Sequence, residues 1–126
     1  MTTSEPDQNE ADDRKNYAIA NISTLTAIDC PCGKTRRAFL EDPDRIASLH
    51  VVDITADAQT HYHRHTTELY YVLEGQGHIE LDDESFPVAP GTVVLIKPGC
   101  RHRAVGKLKI FNVPIPAFDP EDEWFD

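Results

Sequence analysis

The residues best suited to chemistry lie between positions 60 and 77, in the run THYHRHTTELYYVLEGQG. His61 and His63 stand two apart, so on a strand both imidazoles leave the same face. Glu68 follows a turn-like stretch at 64–67 and opens the run ELYYVL. A returning strand there brings its carboxylate back beside the two imidazoles. Two imidazoles and a carboxylate on one face make most of a coordination shell for a divalent transition metal. Such a shell needs a further ligand and a cavity beside it.

The elements around this run read as β. Residues 49–55 (LHVVDIT) are rich in branched side chains, and 57–59 break the pattern. Strands are predicted at 61–65, 68–73, 77–81, 85–88, 92–96, 101–105 and 108–113, with an edge strand at 34–40. A short strand or edge cover is predicted at 17–22, and 44–49 has room for a helical turn. Gly75-Gln76-Gly77 reads as a tight turn, as do Cys30-Pro31-Cys32-Gly33, Ala89-Pro90-Gly91 and the bend at Gly106. Seven or eight short strands punctuated every eight to twelve residues predict an antiparallel sandwich or barrel. Residues 1–15 read as a disordered acidic lead-in and 16–126 as one domain with its core at about 48–113. The last segment, with Pro114, Pro116 and Pro120, reads as extended. Ile115, Phe118, Trp124 and Phe125 give it apolar groups to pack.

Two spaced motifs resemble those of the cupins. His61-x-His63-x4-Glu68-x6-Gly75 matches the first cupin motif, G-x5-H-x-H-x3–4-E-x6-G, with Thr55 where the leading glycine falls. The second motif, G-x5-P-x-G-x2-H-x3-N, aligns with Gly91, Gly99 and His102, with Lys97 in place of Pro and Gly106 in place of Asn. The resemblance covers residues 48–113. It implies an antiparallel double-stranded β-helix, the jelly-roll or cupin barrel, with extended segments at both ends. It also implies His61, His63, Glu68 and His102 as the metal ligands. His65 repeats the His-x-His spacing but falls closer to Glu68 than the family motif tolerates, and is placed outside the shell. A three-histidine, one-carboxylate shell suits Fe, Mn, Ni, Zn or Co.

Parity along the strands nominates further cavity residues. Tyr70 and Val72 share a face with Glu68, so Tyr70 is the candidate catalytic group, with a core aromatic as the alternative. His50 shares a face with Val52 and Ile54 and reads as a surface imidazole, with cavity lining as the alternative. Arg36 and Arg37 face opposite sides of an edge strand and read as solvated, with reach to an anionic substrate as the alternative. Cys30 and Cys32 form a lone C-x-C pair that weakly supports structural zinc. Cys100 reads as a bystander at the cavity mouth.

Composition narrows the function classes. The chain has 126 residues, 40% of them hydrophobic, and a net charge of −10. Residues 1–13 hold five acids, residues 114–126 five more, and neither end holds a Lys or Arg, so the middle is neutral. The acidic ends read as solvated. No basic stripe points to nucleic acid, and no apolar run approaches the roughly 18 residues of a membrane span. No signal peptide is visible, and the odd cysteine count suits thiols; a cytoplasmic address follows as the expectation. The expected function is a small metalloenzyme, a dioxygenase or a cyclase or isomerase, acting on a small organic molecule. The alternative is a non-catalytic module that binds a small ligand or sugar. Leu69, Tyr71 and Leu73 are apolar on the face opposite Glu68, so a homodimer is expected.

Overall fold

A computed structural model describes residues 15–126; the predicted disordered lead-in lies, through residue 14, outside the described residues. Seven antiparallel strands follow one another: β1 Ile28–Cys30, β2 Gly33–Ala38, β3 Leu49–Ile54, β4 Thr67–Leu81, β5 Glu84–Val88, β6 Val93–Ile96 and β7 His102–Ile115. The pairing order is β1-β2-β3-β7-β4-β5, with β6 also paired to β4. The fold is therefore the all-β jelly roll that the sequence predicts. Its first half stacks β1, β2, β3, the end of β7, the start of β4 and β6. Its second half joins the start of β7, the end of β4 and β5.

The main departure from the predicted elements concerns β4 and β7. Each is one strand, of 15 and 14 residues, where the sequence predicts two short strands split by a glycine turn. Gly77 pairs with Gly106 in the middle of their ladder, and a bulge lies between Val72 and Glu74. Gly75 has φ +96° and Gly106 φ +108°, conformations that favour glycine. A Cβ at Gly75 would sit 2.1 Å from the Lys107 carbonyl oxygen, and one at Gly77 2.1 Å from that of Val105. The glycines therefore bend a paired ladder from one sheet into the other. Gly75→Ala is expected to cost at least ~2 kcal/mol in urea unfolding, because the added methyl meets backbone and the φ is strained.

Three smaller expectations also change. Residues 61–65 form only isolated bridges, His61 with His102 and Tyr62 with Trp124, instead of a strand. Residues 17–21 form no strand, and a 3-10 turn at Ile22–Thr24 follows them. Residues 44–49 hold no helical turn; Arg45 sits at φ 54° instead. The Cys30–Gly33 turn is present and closes the β1–β2 hairpin.

The core is made by Ile54, Val72, Ile79, Val88, Ala104, Leu108 and Ile110, contributed by β3, β4, β5 and β7. It fills the second half and the bend. The mouth of the first half stays open as a cavity of about 280 Å³. Among the described residues, no helix is long and apolar enough to cross a membrane.

The segment after β7 is not a solvated tail. Ala117 and Asp122 are buried, and Trp124 exchanges two backbone hydrogen bonds of 2.9 Å with Tyr62. Arg45 donates to the Ala117 and Phe118 carbonyls, and Ser48 Oγ accepts from Phe118 N–H. Arg64 stacks over Trp124, and Arg101 stacks over Tyr62 while pairing both its Nε and Nη2 with Asp126. The acidic segment is folded across the barrel mouth because these cations and backbone groups receive it. Its backbone is extended, as the sequence predicts, except for a 3-10 turn at Pro120–Asp122, and it is not solvated as predicted.

A candidate metal centre in the barrel mouth

The four motif residues reach the centre from three pieces of the fold. His61 and His63 come from the bridged segment before β4, Glu68 from the second residue of β4, and His102 from the first residue of β7. The reciprocal hydrogen bonds between His61 and His102, 3.1 and 2.8 Å, draw two of these pieces together. Gly99 N–H donates to the His63 carbonyl at 2.7 Å and ties the loop before β7 to the same place. The ligand-type atoms of His61, His63, Glu68 and His102 all lie within 4.8 Å of one another, and these residues form a group that could hold a metal ion. His65, as expected from the spacing, is exposed and outside the group.

The hydrogen bonding of the imidazoles fits a metal. His61 Nδ1 meets the Gln59 carbonyl at 3.1 Å, His63 Nδ1 the Asp122 carbonyl at 2.8 Å, and His102 Nδ1 the Cys100 carbonyl at 2.9 Å. A carbonyl only accepts, so each Nδ1 carries the proton and each Nε2 is left with a lone pair. His63 Nε2 lies 2.9 Å from Glu68 Oε1, yet it is buried without an aligned hydrogen-bond partner. The distance alone would make it an ion pair; the poor alignment is decisive, because hydrogen bonds weaken steeply off axis. A buried nitrogen lone pair with no partner is what a ligand position looks like when the donor set is described by itself. Two donors on opposite sides of an ion with bonds of roughly 2.1 Å stand about 4.2 Å apart, so closure from 4.8 Å needs only small shifts.

Electrostatics keep Glu68 and His61 in the forms that ligate. Burial opposes charge on Glu68, but the His102 and His63 imidazoles beside it overcome that and hold the carboxyl well below the usual range. Burial, then the neighbouring His102, lowers the His61 pKa and favours its neutral form. Burial also opposes charge on His63, but the Glu68 carboxylate outweighs it and raises that pKa.

Other candidates fall as follows. Tyr70 lines the cavity with its ring 6.2 Å from that of His102, and burial, then the Glu68 charge, pushes its phenol well above the ordinary pKa. It faces the cavity, as parity along β4 predicts, and its phenol stays protonated at neutral pH. His50 corrects the sequence reading: it is buried, lines the cavity, and places Nε2 2.8 Å from Ser48 Oγ. The sequence hides this because the alternation on β3 is compatible with either face being wet. Arg37 is likewise half-buried and on the cavity wall, while Arg36 is exposed. Cys30 and Cys32 line the mouth with sulfurs 2.7 Å apart, and no third side chain joins them as a ligand group among the described residues. Cys100 serves through its carbonyl, which orients His102, and not through its thiol.

Sequence reasoning missed two residues of the folded-over segment. Glu123 lines the cavity with Oε1 3.6 Å from His61 Nε2. Asp122 accepts from Arg64 N–H, His65 N–H, Thr66 Oγ1 and Trp124 Nε1, so it braces the turn between His63 and Glu68. Neither has a motif; both sit in a stretch whose acidity alone reads as solvation.

The family model described as "Cupin domain" matches residues 49–107. The L-ectoine synthase of Mycobacterium sp. (strain KMS) is 32% identical over 98 residues, covering 71% of this chain and 76% of that protein. The chain is a cupin. A crystal structure of a protein from Planctomyces limnophilus superposes on this cupin with TM-score 0.79 and 41% identity, over 86% of this chain and 96% of that one. The Streptomyces protein Pac13, described as a nucleoside dehydratase, superposes with TM-score 0.73 at 20% identity, over 82% of this chain and 86% of that one, a likeness of fold. The cupin fold carries many chemistries, so activity has to be argued from the site.

Proposed function

We propose that this cupin is a small metalloenzyme that binds one divalent transition ion through His61, His63, Glu68 and His102 and rearranges a small organic molecule by proton transfer. The observation that carries the reading is the convergence of three Nδ1-tethered imidazoles and one buried carboxylate on the mouth of the barrel cavity. When bound, the ion would lend Lewis acidity to an oxygen of the substrate. The chain supplies the rest. Tyr70 offers a phenolic proton on one side of the cavity, and Glu123 offers carboxylate oxygens beside His61 on the other. Phe125, with its ring 6.2 Å from that of His61, and Phe118 limit water in the mouth. An acid and a base flanking a polarised oxygen suit a cyclase, isomerase or dehydratase. A dioxygenase needs no such pair, and the similarity to L-ectoine synthase lies on the same side.

Elemental analysis tests the centre. Wild type is expected to hold about one equivalent of metal, with Glu123→Gln unchanged because its carboxylate stands outside the four-ligand group. Equal, trace metal in wild type and in His61→Ala would sink the proposal. Oxygen consumption by the Fe(II)-loaded protein would instead favour the dioxygenase. Metal and ligand binding without turnover would favour the non-catalytic module.

The outer face supports self-association. Leu69, Tyr71, Val93 and Leu95 are exposed on paired residues of β4 and β6, with Leu69 opposite Leu95 and Tyr71 opposite Val93. Such a contiguous apolar face favours a homodimer. Light scattering is expected to give twice the chain mass at micromolar concentration and the single mass for Leu95→Glu; a monomeric wild type would refute this.

A further inference from the structure

Among the described residues, four buried side-chain atoms lack a hydrogen-bond partner: Thr35 Oγ1, Arg37 Nε, His63 Nε2 and Asn112 Oδ1. All four residues line the one cavity. The metal reading accounts for His63 and leaves the other three. Buried polar groups are rarely unpaired, and each costs roughly 1–3 kcal/mol when left so. Three such groups facing one space call for something polar inside it.

Their placement is ordered by the strand register. Arg37 on β2 stands opposite His50 on β3, His50 opposite Asn112 on β7, and Asn112 opposite Tyr70 on β4. One row of polar side chains thus crosses four adjacent strands on the cavity wall, and Thr35 is two residues from Arg37 on the same face. Tyr70 shares its face of β4 with Glu68, two residues away, so the row leads toward the metal ligands.

The charge on this wall is unbalanced. Among the described residues Arg37 finds no hydrogen-bond or ion-pair partner; its guanidinium carbon lies 5.5 Å from the centre of the Phe118 ring, which itself packs edge-on against His50. Arg37 also borders a shallower hollow that includes Glu41, but without an ion pair to it. Arg103, the other arginine on the wall, is taken by both carboxylate oxygens of Glu80 at 2.9 and 3.1 Å. Burial, then the Arg37 charge, lowers the His50 pKa to about 4, so His50 adds no second cation at neutral pH. A half-buried guanidinium with an orphaned Nε–H and neutral neighbours is the complement of one carboxylate, held side-on through Nε and Nη. A phosphate dianion would ask for more positive charge than this wall has.

We propose that Arg37, with the Thr35 hydroxyl as a second donor, forms a carboxylate subsite, that the neighbouring Asn112 Oδ1 accepts from a donor group of the same ligand, and that the molecule handled by this cupin is a small organic acid. Its carboxylate docks on Arg37 while an oxygen at its other end faces the histidines. The orientation rests on the metallocupin reading; the subsite itself rests on the cavity wall alone. The volume of about 280 Å³ equals that of roughly nine waters at ~30 Å³ each, which suits a metabolite-sized acid.

The test measures binding of acetate, lactate, succinate, benzoate and 4-hydroxybenzoate, each beside its primary amide, and of inorganic phosphate, by ligand-observed NMR on metal-loaded and metal-free protein. At least one acid is expected to bind wild type ten-fold more tightly than its amide. That preference is expected to vanish in Arg37→Gln, recover in part in Arg37→Lys, and persist unchanged in Arg36→Gln, with bound metal equal in all four proteins. Acid preference that is lost with Arg37 but indifferent to metal sustains the subsite and counts against the metal reading. The proposal is overturned if no acid exceeds its amide in wild type, if Arg37→Gln binds acids as wild type does, or if phosphate binds more tightly than every acid.

Discussion

His102→Ala is expected to abolish metal binding, from about one equivalent to near zero by elemental analysis. His102 has no exposed surface, its Nδ1 is fixed by the Cys100 carbonyl, and its Nε2 lies 2.9 Å from Glu68 Oε1. Removing the ring deletes one candidate ligand and one of the two imidazoles that keep Glu68 ionised. The loss also leaves the buried Glu68 carboxylate short of a partner, which costs roughly 1–3 kcal/mol or more. Because the variant confounds metal loss with destabilisation, His61→Ala is its companion: His61 is only partly buried at the mouth and has no bond to Glu68. It is expected to lose metal at little cost to the unfolding midpoint of the apoprotein. Chelation of wild type should lower stability by about 2.7 kcal/mol when free metal had stood at 100 times Kd. Unchanged melting on chelation of a fully loaded sample would contradict a centre in which the ion bridges β4, β7 and the 61–63 segment.

Asp122→Ala is expected to destabilise the fold by roughly 3–5 kcal/mol, since four donors lose one buried acceptor. The loss should reach the metal as well. The Asp122 carbonyl holds His63 Nδ1, so a loosened segment frees the His63 ring and removes Glu123 from the mouth. Metal affinity is therefore expected to fall 10- to 100-fold in a variant that retains all four ligands, the usual effect of losing a partner that orients a ligand. Burial opposes the Asp122 charge, but the N–H groups of Arg64 and His65, with Thr66 and Trp124, hold its pKa down at about 2, from an ordinary 3.8. A lowered folded-state pKa gives stability that is fully present above about pH 4 and lost as pH falls toward 2, worth about 2 kcal/mol in all. Acid unfolding of wild type followed by circular dichroism should steepen in that window, and Asp122→Asn should flatten it. Parallel profiles for the two proteins would show that the carboxylate is not the brace.

The site was legible where ligands sit at fixed spacing in the chain. The two-residue step from His61 to His63, and the gaps to Glu68 and from Gly99 to His102, are local geometry that the barrel merely closes. The same locality exposed Tyr70, because its parity with Glu68 on one strand survives folding. Punctuation was less legible. Gly75, Gly77 and Gly106 read as turns because glycine grants positive φ wherever it stands, and only pairing shows whether the chain reverses there or bends within a ladder.

The sequence by itself determined the β alternation and an antiparallel sandwich or barrel, and its resemblance to the cupins narrowed this to a jelly roll with His61, His63, Glu68 and His102 brought together. Tertiary structure alone decided which neighbours those residues have. It laid the acidic last segment across the mouth, which buried Asp122 and brought Glu123 to His61. It also aligned Arg37, His50 and Asn112, from three strands, into one row facing the cavity. The physical reason is that spacing along one strand fixes a face, whereas register between distant strands and the path of a segment across a surface depend on cross-chain hydrogen bonds and packing that no local pattern encodes.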